Sequence, residues 1–388
     1  MRMRRAAHLA DSAYVAKYAR AIALMKSLPD DDPRSFKNQA NVHCAYCDGA
    51  YHQAGFPDLD LQVHFSCRPF SPTPNHRCYD PLRDPDHQPP TLLDLNYAKG
   101  DPNPDPAKAE ELFASNLNVM YRQMVSGASK PTLFFGKPYR AGDDPSPGMG
   151  TIETTPHTEI HYWAGDPKQP NRENMGNFYS AGKDPIFFCP SLEQFLFWDE
   201  KKELVRAKVK DTLDTTKLRY GFQDVPLPWL KTKPSPKLTR KEKTRRAAQT
   251  NIVLTPISAF PVVLDKVISV EVSRSRKSRG ATEKEDEDEV LVIEGIEYEE
   301  NQFIKFDVLL NDEPDSPGGP DTSEFAGSFV NLPHKHAKKS KTTLVLGITR
   351  LLEDLEAEGD DTLLVTLVPR SGGDLVTINS VKIEFVTD

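Results

Sequence analysis

Six residues of this chain have types and spacing that suit metal chemistry: His43, Cys44, Cys47, His64, His157 and His161. His157 and His161 stand at i and i+4, so a helix there puts both imidazoles on one face. Two neutral ring nitrogens one turn apart suit two ligands of one transition metal. The same spacing also serves two ordinary core or surface histidines. His43-Cys44-x-x-Cys47 has several readings. Half of a zinc site is one, but no second Cys-x-x-Cys or paired histidines follow at zinc-finger spacing. Haem attachment needs a histidine directly after the second cysteine, and none stands there. A histidine ligand beside two structural sulfurs fits, and so do a disulfide or two small buried cysteines.

Such groups need elements to hold them. Residues 11–28 read as a helix, with Asp11 as cap, an apolar stripe of Tyr14, Tyr18, Ile22 and Met25, and Pro29 as its stop. Residues 109–125 read as a second, with Phe113, Leu117, Met120 and Met124 on one face. A short helix is expected around His157–Trp163, while residues 29–106 read mostly as loop. The 33 prolines cluster between Pro69 and Pro106 and again from Pro131 to Pro170, which predicts long ordered loops in both stretches. Near residue 231 the pattern breaks. KTKPSPKLTRKEKTRRAAQT is basic, proline-bearing and poor in apolar residues, the composition of a protease-sensitive linker. Beyond it the period becomes two, in Ile268-Val270-Val272, Ile304-Phe306-Val308-Leu310, Leu344-Leu346-Ile348 and Val381-Ile383-Phe385. The acidic run Glu283–Glu289 reads as a solvated hairpin loop, and residues 251–388 as a small antiparallel β-sandwich.

The 388 residues suffice for two domains. A mean hydropathy of -0.56 and the lack of any apolar run of membrane length speak against a membrane span. A net charge of -8 argues against bulk attraction to nucleic acid. Five cysteines is an odd count, so in an oxidising compartment one thiol needs another fate. The opening MRMRRAAHLADSAY is basic and short, without the apolar core of a secretory signal or the length of a transit peptide.

Longer motifs then surround the candidate residues. NVHCAYCDGAY (Asn41–Tyr51) and FPDLDLQVH (Phe56–His64) resemble the first copper motif of plant polyphenol oxidases, the catechol oxidases. HQPPTLLDL (His87–Leu95), MYRQMVS, PTLFFGKPYRAGDDPSPGMGTIE, PHTEIHYWAGD and MGNFYSAGKDPIFF continue the likeness in order. QDVPLPWL, IKFDV (Ile304–Val308) and EFAGSFVNLPHKH (Glu324–His336) carry it through the C-terminal part. The resemblance implies a mainly α catalytic core with long loops, the remnant of a four-helix bundle, plus the C-terminal antiparallel β-sandwich. It implies residues 1–230 as the dicopper domain, 231–250 as linker and 251–388 as the C-terminal domain. It further implies two coppers that bind O2 between them and oxidise o-diphenols to o-quinones.

Motif by motif, the resemblance makes His43 and His64 ligands of the first copper, and His157 and His161 ligands of the second. It makes Cys47 the thioether partner of His64, and Cys44 a disulfide cysteine whose partner lies in an N-terminal segment not matched here. Phe178 takes the place of the phenylalanine that shields the second copper, and Glu153 that of the glutamate that orients a water near the site. Thr158, directly after His157, stands where the choice of residue governs hydroxylation of monophenols. Small phenols and O2 are the implied partners, and a plastid, in its thylakoid lumen, the implied compartment. The C-terminal domain is implied to cover the copper site and keep it latent until proteolysis in the linker. A stable fragment near residues 251–388 is the expected product, with His334 and His336 on its surface.

Two places depart from the family pattern. After His64 an aromatic helix is replaced by FSCRPFSPTPNHRCYDP, where His76 lies among prolines that cannot hold a helical register. After DPIFF (Asp184–Phe188), where two histidines belong, the chain reads Cys189-Pro190 and jumps to a later family segment. We read His76 as a loop histidine and Cys189 as a junction residue. Each copper then keeps two histidines, which predicts fewer than two coppers per chain. The alternative function is therefore a catalytically inactive relative, or a gene model that lost the third histidine of each copper.

Overall fold

The computed structural model describes residues 2–6, 9–46, 80–88, 91–98, 101, 105–137, 146, 148–177, 179–184, 196–198, 201, 203–206, 214–217, 219–235, 253–313, 317–333 and 338–387, with backbone alone for 42–46, 196–198 and 204–206. Helix α1 (Ser12–Ser27) starts where Asp11 accepts a hydrogen bond from the Tyr14 amide at 2.7 Å. It ends at Leu28, which turns extended ahead of Pro29. Ile22 of the expected stripe is buried together with Ala19, whereas Tyr14 is exposed.

Helix α2 (Phe36–Tyr46) lies inside the stretch read as loop. Ser35 Oγ accepts from the Asn38 amide at 3.2 Å, a cap ahead of eleven proline-free residues. Helix α3 (Ala109–Tyr121) continues through a wide π turn at Arg122–Ser126. Its buried apolar residues are Val119 and Met120, which pack with Leu95. Phe113, expected on the core face, is exposed, because the core meets only the C-terminal half of the helix. Helix α4 (Pro131–Phe135) and helix α5 (Glu159–Ala164) interrupt the second proline-rich stretch. Pro131 occupies the first turn of α4, where the missing N–H has no helical partner to lose. The described residues do not display the four-helix bundle that the resemblance implies.

The ends flanking the two departures from the family pattern are tied to each other. Arg83 donates from Nη2 and Nε to the two carboxylate oxygens of Asp184 at 2.7 and 2.8 Å. Both side chains are buried, at 5% and 0% exposure. Such a fork fixes distance and orientation together. Two small pairings complete this part: β1 (Arg2–Arg4) runs parallel to β4 (Tyr220–Phe222), and β2 (Leu196–Trp198) antiparallel to β3 (Leu204–Arg206).

The C-terminal part is two antiparallel sheets. One joins β5 (Val262–Val263), β7 (Asp288–Glu299), β10 (Lys339–Gly347), β12 (Thr377–Ile378) and β13 (Ser380–Val386). The other runs in the order β6 (Ile268–Ser273), β11 (Thr362–Ser371), β8 (Ile304–Leu310), β9 (Phe325–Asn331). Ile268, Val270, Phe306, Val308, Val365 and Leu367 of this sheet share one core with Leu291, Ile293, Leu344 and Val381 of the first. Alternation along each strand supplies that face.

Strand β8 departs from simple alternation. Its core-facing Ile304, Phe306, Val308 and Leu310 are buried as expected, but so are Lys305 and Asp307, at 0% exposure. Residues of the N-terminal part cover them: Lys305 Nζ donates to the Tyr97 carbonyl at 2.8 Å. The acidic run also differs from its reading. Helix α6 (Ala281–Asp286) takes up its first half, with the Gly280 amide donating to Glu283 Oε2 at 2.8 Å. Asp288 and Glu289 then enter β7 and are buried, Glu289 against a forked Arg274 at 2.8 and 2.9 Å. Among the described residues no helix is long and apolar enough to cross a membrane.

Candidate metal centre

The segment from Gly150 to Gly176 builds the site. Glu153 Oε2 accepts from the Gly150 amide at 3.0 Å and starts a turn. Pro156, without an amide proton, cannot close ordinary helical bonds, and the chain runs through Glu153–Thr158 as a wide π turn before tightening into α5. Thr158 Oγ1 donates to the Glu153 carbonyl at 2.6 Å and holds the turn shut. His157 ends this turn and His161 lies in α5, so their rings come together as the i, i+4 spacing predicts. The centroids are 4.7 Å apart at 68°. Both residues are buried, at 7% and 2% exposure.

Helix α5 stops at Gly165, whose amide donates to the His161 carbonyl at 3.0 Å. A Cβ on Gly165 would meet Gly176 Cα at 2.3 Å. That close approach brings the Met175 carbonyl to 2.6 Å from His161 Nδ1. A carbonyl only accepts, so Nδ1 carries the proton and Nε2 keeps its lone pair. This is the arrangement by which proteins orient a metal-binding imidazole. Gly165→Ala is accordingly expected to push the Met175 loop away and loosen His161. Copper affinity measured by titration should fall by about 10-fold or more; unchanged affinity would show that the loop does not set the ring.

Two neutral buried imidazoles, one with a fixed tautomer, fit half of a copper centre. No group of three His, Cys, Asp or Glu with metal-binding geometry occurs among the described residues. His43 and Cys44 fall on the backbone of α2, and their side chains lie outside the described residues, as do Cys47, His64, His76, Phe178, Cys189, His334 and His336. The structure therefore brings together two of the expected ligands and places Glu153 at the start of their turn.

Several residues at the site were not foreseen. His87 donates from Nδ1 to the Trp163 carbonyl at 2.5 Å and stacks on the Trp163 ring with centroids 4.4 Å apart. Glu159, midway between the two histidines, is buried at 0% exposure, and Lys305 Nζ stands 2.8 Å from its Oε1. Burial pushes the Glu159 carboxyl up, and Lys305 draws it back down. The Tyr162 ring stacks on Phe303 at 3.5 Å. The available signal was a charged residue between two candidate ligands, and a lysine and an aspartate alternating inside an apolar strand.

Three family models match the chain in order: the common central domain of tyrosinase over residues 30–190, the polyphenol oxidase middle domain over 193–235 and the chloroplastic polyphenol oxidase C-terminal domain over 260–385. The chloroplastic polyphenol oxidase of Malus domestica is 45% identical, over 100% of this chain and 78% of that protein. This chain belongs to the plant polyphenol oxidase family. Aureusidin synthase of Antirrhinum majus is also 45% identical, over 99% of this chain and 81% of its own length. The solved structure of latent apple tyrosinase superposes with a TM-score of 0.85 at 45% identity, covering 100% of this chain and 97% of that one. The alignment with the Malus protein runs over 466 positions, whereas this polyphenol oxidase family member has 388 residues. The Malus protein thus carries segments that find no counterpart here.

Proposed function

We propose that this chain oxidises o-diphenols to o-quinones with O2 at a paired-copper centre. The observation that carries the reading is the buried pair His157 and His161, with the His161 proton committed to the Met175 carbonyl. In this reading His157 and His161 hold one copper, and His43 and His64 the other. Cys47 stiffens His64 through a thioether, and Cys44 belongs to a disulfide. Copper, when bound, supplies a one-electron couple that imidazole ligands support in both oxidation states. The chain's own part is positional. Met175 keeps the His161 Nε2 lone pair available, and the Gly150 amide fixes the Glu153 carboxylate beside the turn, where it is the candidate to hold a water. Phe178 shields the centre.

The named activities of the relatives differ, polyphenol oxidation in one and aureusidin synthesis in another, so the preferred phenol depends on residues outside the shared motifs. The Malus relative is named chloroplastic, which supports a plastid location; the thylakoid lumen is the compartment we assign. The likeness to a structure described as latent supports residues 1–230 as catalytic domain, 231–250 as the cleaved linker and 251–388 as a cover.

A second reading is a copper-binding relative without turnover. It is favoured by the longer alignment of the Malus protein and by the absence of a third donor near His157 and His161 among the described residues. One experiment separates the two. The purified chain is loaded with Cu(II), its metal content is measured, and O2 uptake is followed with catechol. Two coppers per chain with catechol-dependent uptake are expected of the oxidase. Fewer coppers and no uptake support the second reading.

A further inference from the structure

We infer that Lys305 and Phe303, both in the C-terminal part, are positioning residues for the histidine pair, a role that rests on the copper reading above. Helix α5 has six residues and follows a wide turn interrupted by proline. So short a helix has little stability of its own, and its orientation must come from tertiary contacts. Two such contacts come from one edge of the β unit. Lys305 Nζ stands 2.8 Å from Glu159 Oε1, with the two side chains 1% and 0% exposed. Phe303 stacks on Tyr162 at 3.5 Å with the rings 4° from parallel, and the Arg172 guanidinium lies 4.3 Å from the same Tyr162 ring.

The periodicities match. Residues 303 and 305 share one side of an extended chain, and residues 159 and 162 are neighbours on a helix surface. One strand edge thus grips α5 at two points that flank His161, while Met175 holds the ring itself. The ion pair adds register rather than net stability, because a buried pair roughly balances an apolar replacement. The same ammonium donates to the Tyr97 carbonyl at 2.8 Å, which ties a third segment to the grip. Neither Glu159 oxygen has an aligned hydrogen-bond donor, so Lys305 answers its charge by proximity, and loss of Lys305 leaves that charge uncompensated beside both histidines.

The test uses the full chain in two readouts, amide exchange of Glu159–Ala164 in the metal-free protein and affinity for Cu(II). Lys305→Met is expected to speed exchange across this segment and to weaken copper binding by about 10- to 100-fold. The neutral pair Lys305→Met with Glu159→Gln is expected to restore both to within a few-fold of the wild type. Phe303→Leu should loosen the same segment, with an intermediate loss of copper. Unchanged copper affinity in Lys305→Met overturns the proposal, and so does a double variant that stays as defective as the single one. A wild-type chain that binds no copper counts against the copper reading alone; the grip is then decided by the exchange of the metal-free variants.

Discussion

Replacing His161 by glutamine is expected to weaken copper binding by at least about 100-fold. Loss of an outer-shell partner alone typically costs a metal site 10- to 100-fold, and a direct ligand contributes more. Glutamine keeps an N–H for the Met175 carbonyl, which His161 contacts at 2.6 Å, so the loop below the ring retains its partner. The metal-free protein should therefore melt within a few degrees of wild type. The control is His87→Gln. His87 is equally buried and also donates to a backbone carbonyl, but it stacks on Trp163 rather than standing by His157. Its replacement should lower the melting temperature and leave copper content unchanged. Copper loss in His87→Gln, or full retention in His161→Gln, would reassign the ligand.

Arg83→Met should destabilise the chain by about 3–5 kcal/mol, the loss typical when one member of a buried pair is removed. Asp184 is fully buried, and without the Arg83 fork at 2.7 and 2.8 Å its carboxylate stays in the interior uncompensated. Unfolding in urea reads the effect as a lower midpoint. The double variant Arg83→Met with Asp184→Leu should recover most of the loss, since two apolar groups leave no charge behind. A single variant that loses less than about 1 kcal/mol would show that water reaches Asp184, as in exposed pairs. The pair joins the segment after His64 to the segment before Cys189, so the variant also tests whether this contact holds the two departures from the family pattern together.

Local signals were legible along the chain. Asp11 and Pro29 bounded α1, the HTEIH spacing gave a helix with two histidines on one face, and alternating Val, Ile and Phe gave the strands. Less legible were features whose cause lies far away in sequence. Helix α2 was missed because its cap, Ser35, stands amid prolines and turn residues. Phe113 fits an apolar stripe by spacing, but the core it would face lies under the other half of α3. The acidic run looked solvated because its partner Arg274 is on β6's far end, outside any local window.

The candidate site divides along the same line. By itself the sequence determined the identity of the ligand candidates His43, His64, His157 and His161, the family they mark, and the pairing of the last two. Those depend on residue type and on a helical repeat of a few residues. Only the tertiary structure decided which atom of His161 is available, because that follows from a Gly165–Gly176 approach that delivers the Met175 carbonyl. It alone decided that Lys305, 146 positions after Glu159, lies against the turn between the histidines. Charge and tautomer are set by whatever the fold packs within a few ångströms, and no local pattern encodes that neighbour.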